Sequence, residues 1–152
     1  MRAEIISISN GSLQGSKISM VRGDTLEITL RVLRDDDSVI LLNRFEGYGG
    51  SGNERGPDAA TNHRLSMEFT APLKDGGDIR LIYRTTQSAR QVLYGSVDQL
   101  TVLIDQKLTR RLPAPLALNF DMQITEFNGE DRRMSTIYQG VLQVDKDITS
   151  TY

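Results

Sequence analysis

The sequence contains no cysteine and no tryptophan, and its single histidine is His63. Without cysteine there is no disulfide framework, thiolate zinc site, iron–sulfur cluster or cysteine nucleophile. A single histidine also excludes metal sites built from several imidazoles. No apolar run approaches the roughly 18 residues that cross a bilayer, and the first residues lack the apolar segment of a secretory signal. We therefore expect no membrane span and no secretory leader.

The charges are balanced, because 18 Lys and Arg oppose 20 Asp and Glu for a net charge of −2. Such a balance gives no field that would draw nucleic acid or an anionic membrane. The 152 residues are the size of one domain and are enough to bury a core without a metal or disulfide. Composition thus indicates a soluble single domain, and any functional reading depends on the order of the residues.

Alternation of apolar and polar residues, the pattern of half-buried strands, recurs along the chain. It is clearest where Leu26, Ile28 and Leu30 alternate with polar residues. Turn residues separate the apolar segments, and Asn128-Gly129 is the strongest of these hairpin signals. The other predicted strands are 5–8, 18–21, 39–42, 65–69, 79–84, 100–104, 118–124 and 134–144. Eight or nine short strands of this spacing predict an all-β sandwich or barrel.

Residues 97–112 are ambiguous between strand and helix. Several apolar residues here have helical spacing, and Ser96-x-x-Gln99 matches a capping box. However, 100–104 reads Leu-Thr-Val-Leu-Ile, which is rich in β-forming residues. We predict a strand over 100–104 and a short helix over 106–112, with a single helix from 97 to 112 as the alternative.

The Gly-rich segment 46–64 is the one long irregular stretch. Loops of this length are uncommon in compact domains and are usually functional or disordered. The segment spells G-x-G-x-x-G, but Gly56-Pro57 follows where a dinucleotide site needs a helix. Two interpretations stay open: a mobile surface loop, and a contact loop that orders against a neighbouring subunit, which we take as the functional hypothesis. The predicted protein-interface residues are Tyr48, Gly49, Gly50, Asn53, Glu54, Arg55, His63 and Arg64.

The remaining motifs have ordinary explanations. Arg22-Gly23-Asp24 spells the integrin tripeptide, but it precedes a strand, where Gly-Asp is common in turns. The acidic runs 35–37 and 75–78 lack the spacing of a calcium loop. The basic pairs 110–111 and 132–133 lack the interleaved aromatic residues of a nucleic-acid site. We therefore predict no metal site, no cofactor and no nucleic-acid partner.

Two other functions stay open as alternatives. A small hydrolase would use paired carboxylates, for which Glu68, Asp121 and Glu126 lie on or beside predicted strands. No G-x-S-x-G nucleophile motif is present, and we predict no catalytic residues. A carbohydrate-binding or receptor-binding module would need exposed aromatic residues for stacking. The candidates for that role are few and scattered: Tyr48, Tyr83, Tyr94 and Tyr138.

Four segments resemble, in order and spacing, a family of phage tail proteins. That family includes the N-terminal domain of siphophage baseplate upper proteins and related small virion proteins. VRGDTLEITLRV at 21–32 resembles its opening strand, and 95–112 resembles its penultimate strand with the short helical turn after it. LNFDMQI at 118–124 resembles its Y-x-[WY]-D-hydrophobic strand, and YQGVLQV at 138–144, followed by DIT at 147–149, resembles its closing segment. LLNRF at 41–45 replaces the family's Leu-x-Gly-aromatic step, and the Gly-rich segment is an insertion.

The resemblance implies an Ig-like antiparallel β-sandwich over residues 20–152, preceded by an N-terminal arm or extra strands at 1–19. It also implies a non-enzymatic structural role in the tail, baseplate or neck of a bacteriophage virion assembled in the host cytoplasm. Such domains dock to other virion proteins, are present in several copies and help attach fibres or receptor-binding proteins. We expect the inter-subunit contacts at 47–64 and at 1–17, with no small-molecule substrate.

Overall fold

The computed structural model describes residues 1–41, 63–72, 76–84, 92–96, 98–128 and 130–147. Over these ranges the chain is mostly β, with ten strands and one short helix. The strands are β1 (Arg2–Ser9), β2 (Gly11–Gln14), β3 (Lys17–Val21), β4 (Leu26–Leu33), β5 (His63–Pro72), β6 (Asp78–Arg84), β7 (Val92–Ser96), β8 (Gln99–Ile104), β9 (Leu116–Asn128) and β10 (Asp131–Asp145), and the helix is α1 (Gln106–Thr109).

The strands form two sheets. One has four strands in the order β1-β4-β8-β7, and all its neighbours are antiparallel. The other has six strands in the order β2-β3-β10-β9-β5-β6, and its only parallel pair is β3 with β10. The segment 1–19, predicted as an N-terminal arm or extra strands, thus holds β1, β2 and part of β3, which pair within both sheets.

The apolar residues of the alternating segments turn toward one shared core. Leu26, Ile28 and Leu30 of the four-stranded sheet are fully buried in the same cluster as Met67 and Met122 of the six-stranded sheet. The two sheets therefore pack face to face, and the sequence alternation correctly identified the buried faces. Within this core, Phe120 stacks between Phe69 and Tyr138, with ring centroids 4.9 and 5.5 Å apart.

Two parts of the strand prediction are wrong in detail. Residues 39–41 form only an isolated bridge, Leu33 with Val39, instead of a strand. The strands β2 and β7 were not expected from apolar alternation, because each is short and depends on one neighbouring strand for its pairing. The described part of the chain therefore has ten strands where eight or nine were expected.

In the ambiguous segment, a strand is followed by a short helix, as predicted, and the alternative of a single long helix is wrong. The helix covers Gln106–Thr109 and is shorter than the predicted 106–112. β8 pairs with both β4 and β7. After it, the side chain of Asp105 caps α1 by accepting a 2.8 Å hydrogen bond from the amide of Lys107. The β formers at 100–104 outweigh the helical spacing because a strand between two others buries Leu100, Val102 and Ile104 completely.

Candidate protein-binding surface

One end of the two sheets collects the features that suit a protein contact, and we call it the hairpin end. It lies where β9 turns into β10, a hairpin closed by the Asn128–Asp131 pair, as the Asn-Gly signal predicted. β5 begins at the same end, because His63 pairs with Glu126 near the end of β9. The far end of β10 lies beside Val21, a few residues before β4 starts. β4 therefore also runs toward the hairpin end.

The Gly-rich segment connects to this end of the structure. Six of the eight predicted interface residues, Tyr48, Gly49, Gly50, Asn53, Glu54 and Arg55, lie outside the described residues. The other two are the first residues of β5. Of His63 the structure describes the backbone pairing, and Arg64 is half-buried beside the β9–β10 hairpin. The predicted surface is thus described only where it meets the sheet.

Arg64 takes part in a cluster that the sequence did not reveal. Its guanidinium carbon lies 5.1 Å from the centre of the Phe127 ring, and that of Arg132 lies 5.5 Å from the same ring. Cation–π contacts of this kind contribute about 0.5–1 kcal/mol each at exposed sites. They also hold two long side chains in place before any partner arrives, which lowers the entropy cost of binding.

The pairing register places this cluster on the outer face of the six-stranded sheet. Arg64 and Met134 both pair with Thr125, and Phe127 pairs with Arg132. These five positions, which we call the Phe127 patch, alternate with core residues such as Leu65 and Ile124 and so point away from the core. Met134 is 63% exposed. Arginine, aromatic residues and methionine are the types enriched in protein interfaces.

The opposite side of the same hairpin carries both signs of charge. Glu126 pairs directly with Arg133 across the two strands, an arrangement that favours opposite charges. Glu126 and Arg133, with Asp131 and with Arg132 from the patch face, line a cleft of about 420 Å³. The basic pair 132–133 is therefore divided between the two faces of the hairpin, and only Arg132 belongs to the Phe127 patch.

The Arg-Gly-Asp tripeptide is part of a structural turn. Arg22 forms an ion pair with the buried carboxylate of Asp147, with Nη2 and Oδ1 2.8 Å apart. The fully buried Thr109 accepts a hydrogen bond from the Gly23 amide and donates a 2.8 Å bond to the Asp24 carbonyl. The tripeptide thus fastens the chain at the end opposite the hairpin, which agrees with its interpretation as turn chemistry.

The acidic residues of the run 35–37 contact different partners. Asp36 accepts hydrogen bonds from the amide and the hydroxyl of Ser38, which lower the pKa of its carboxyl. Asp37 pairs with Arg2 at 2.6 Å. In the part of the chain that the structure describes, no three His, Cys, Asp or Glu side chains lie close enough to hold a metal ion. Asp75 lies outside that part.

The three carboxylates considered for hydrolysis do not share one site. Glu68 and Asp121 are direct cross-strand neighbours on the outer face, and Glu68 accepts a 2.7 Å hydrogen bond from Arg80. Glu126 differs from Asp121 by an odd number of positions along β9 and so lies on the opposite face. The outer pair borders a shallow depression of about 320 Å³ that also includes Thr70, Asn119 and Gln139.

Comparison with known proteins adds no assignment: no family model matches the chain, and no curated protein is significantly similar to it. Among the described residues, no helix is long and apolar enough to cross a membrane. The geometry of the hairpin end is therefore the main guide to what the molecule binds.

Proposed function

We propose that this chain is a non-enzymatic structural component of a bacteriophage virion. In this proposal it docks to other virion proteins of the tail, baseplate or neck and helps attach fibres or receptor-binding proteins. The observation that carries the docking role is the Phe127 patch, with two arginines on one aromatic ring beside the exposed Met134. The phage assignment rests on the resemblance of four ordered segments to phage tail proteins.

We further propose that the two sheets form an Ig-like β-sandwich of the variable type. β1, β4, β8 and β7 follow one another in the order of strands A, B, E and D of that fold. β10, β9, β5 and β6 follow the order G, F, C and C′. In this assignment residues 34–62 join strands B and C, and the hairpin at the Phe127 patch joins F and G. Both connections belong to the end that variable domains use for binding.

The mode of binding follows from the composition of the patch. Aromatic and arginine anchors supply most of the energy of protein interfaces, and surrounding residues exclude water from them. Phe127 is the central anchor because both guanidinium groups rest on its ring. The polar Gly-rich segment leads into β5 at His63, at the same end of the sheet. A cysteine-free chain of this kind also suits assembly in a reducing bacterial cytoplasm.

The experiment is incorporation of variants into phage particles that lack the native chain. Phe127→Ala and Arg132→Glu should leave the purified protein folded but reduce its incorporation at least tenfold. Arg111→Glu is the matched control, because Arg111 is an exposed arginine near α1, at the opposite end of the sheets. Deletion of 49–58 should act like Phe127→Ala. Normal incorporation of Phe127→Ala would contradict the proposed docking site.

A second candidate is carbohydrate or receptor binding at the outer-face depression. Its amide and carboxyl groups from Asn119, Asp121 and Gln139 are of the kind that hydrogen-bond sugar hydroxyls. Tyr138, one of the possible stacking residues, instead packs on Phe120 in the core. Glycan-array binding that is lost in Asn119→Ala and kept in Phe127→Ala would favour this function over virion docking.

A further inference from the structure

The outer edge of β2 has no neighbouring strand in the described structure. β2 is the last strand of the six-stranded sheet, and all four of its residues are exposed. A two-residue turn with Gly15 at φ 61° joins Gln14 to its partner Lys17. Away from such a turn, residue pairs that exchange main-chain hydrogen bonds alternate with pairs that do not. Counted from the Gln14–Lys17 pair that closes the turn, Leu13 and Gly11 belong to the second kind, so their backbone groups point away from β3. They are placed to pair with another strand.

The other sheet edges carry devices that discourage pairing. β1 and β7 each have a register shift, between Ile5 and Ser7 and between Tyr94 and Ser96. β6 has exposed charges at Asp78 and Arg80. Bulges and charges of this kind protect edge strands from joining other chains. β2 has no charge, no proline and no register shift in its pairing with β3.

The absence of charge extends well beyond β2. Residues 5–16 contain no Asp, Glu, Lys, Arg or His, and this run of twelve is the longest in the sequence. The next longest, 134–144, lies within β10, which pairs with β3 from Val141 onward and has a register shift between Thr136 and Tyr138 in the part that pairs with β9 alone. A quarter of the chain is charged, so an uncharged exposed edge is a specific feature of this side of the molecule.

We propose that β2 pairs with β2 of a second copy of this chain, antiparallel and across a two-fold axis. At such an axis each surface patch meets its own copy, so a charge on the patch would meet the same charge. An uncharged edge avoids this repulsion between like charges. A contact with a different protein would not need an uncharged edge, because that protein could carry the opposite charge. The inference uses neither the Phe127 patch nor the virion assignment.

The side chains of β2 suit pairing centred on Ser12. In that register Leu13 lies opposite Gly11 of the second copy, and each such pair exchanges two main-chain hydrogen bonds. Leu13 is 41% exposed and lies on the same face as the buried Ile18, its partner on β3. Gly11 contributes only its backbone to this pair, because a β-carbon there would approach the Ser19 oxygen to 2.7 Å and Leu26 Cδ1 to 2.8 Å. The contact is shorter than a standard interface, so we expect a reversible, concentration-dependent dimer.

Light scattering of the purified full chain over a concentration series tests the proposal. The wild-type mass should rise from that of a monomer to that of a dimer. Leu13→Pro removes only the amide that points away from β3, and Leu13→Lys places like charges near the axis. Both should remain monomeric at concentrations where the wild type is dimeric. Leu41→Lys, at a leucine of similar exposure away from this edge, should dimerise like the wild type.

The outcomes separate this proposal from the proposed function. Phe127→Ala should dimerise normally even if it fails to enter particles. Thermal unfolding identifies any variant that does not fold. If Leu13→Pro does not fold, Leu13→Lys alone tests the strand pairing. A wild-type chain that stays monomeric throughout would overturn the proposal. So would a trimer or ring, or a dimer that persists in Leu13→Lys.

Discussion

The backbone oxygen of Ser16 occupies the space where a side chain of residue 140 would begin. Gly140 lies in β10, and a β-carbon built there would overlap the Ser16 oxygen and approach the Phe120 ring to 3.0 Å. The amide of Val141 donates a hydrogen bond to the same oxygen at 3.3 Å. The turn between β2 and β3 is therefore fixed directly on the central hairpin, through a contact that only glycine permits.

We predict that Gly140→Ala destabilises the protein by about 1–3 kcal/mol, the usual cost of forcing an extra methyl into a packed site. The neighbouring atoms are backbone and a buried ring, so they have little freedom to move away. Equilibrium denaturation measures the change. Gln139→Ala, on the exposed outer face, is the control and should change the free energy of unfolding by less than about 0.5 kcal/mol. Equal stabilities for the two variants would contradict the contact.

Thr109 should matter more for stability than an ordinary threonine. Thr109→Val keeps the shape but leaves the Gly23 amide and the Asp24 carbonyl without their hydroxyl partner. Because Thr109 is fully buried, we expect a loss of about 1–3 kcal/mol. Thr101→Val, which removes the hydroxyl contact with Thr29 on a half-buried surface, should cost less. Chemical denaturation of both variants compares the two, and a smaller loss for Thr109→Val would refute the bridging role.

The Tyr138 hydroxyl is buried and has no hydrogen-bond partner among the described residues. Tyr138→Phe should therefore leave the protein equally stable or more stable at neutral pH, because an unpartnered polar group is removed while the ring stack is kept. Thermal unfolding at pH 7 is the measurement. A marked loss of stability in Tyr138→Phe would show that the hydroxyl has a partner.

The same tyrosine predicts a pH dependence. Burial raises the pKa of Tyr138, so its folded-state value exceeds the unfolded value of about 10. The free energy of unfolding is unaffected by this group below about pH 10. It falls as the pH rises through the raised folded-state pKa, because the unfolded chain releases the tyrosine proton more readily than the folded chain. Unfolding between pH 9 and 11 should therefore show a decline that is smaller in Tyr138→Phe. Parallel curves for the two proteins would contradict the shift.

Local patterns in the sequence predicted much of the fold. The alternation at Leu26, Ile28 and Leu30 identified a buried strand face, and the Asn128-Gly129 turn located the central hairpin. β2 was missed because Gly-Ser-Leu-Gln has no periodic pattern, and its conformation depends on pairing with β3. The strand predicted from residue 39 is absent over 39–41, because apolar composition alone does not establish a pairing partner.

The candidate site was only partly accessible to sequence analysis. Arg64 is a predicted interface residue because it ends the Gly-rich segment 46–64, and the basic pair 132–133 lacks interleaved aromatic residues in the sequence. The aromatic partner, Phe127, belongs to another strand, and only the pairing of β5 with β9 and of β9 with β10 brings the three together. The register between strands that are distant in the sequence depends on how the core packs, and this packing cannot be inferred from one sequence.

A photo-crosslinking amino acid placed at 134 in assembled particles tests directly whether the chain docks to another virion protein through the hairpin end. Met134 belongs to the Phe127 patch and is 63% exposed, and Arg111 provides a control position at the other end of the sheets. The account predicts a covalent product between position 134 and a different virion protein, and none from position 111. Cross-linking from 111 alone, or from neither position in particles that contain the chain, would contradict docking through the hairpin end.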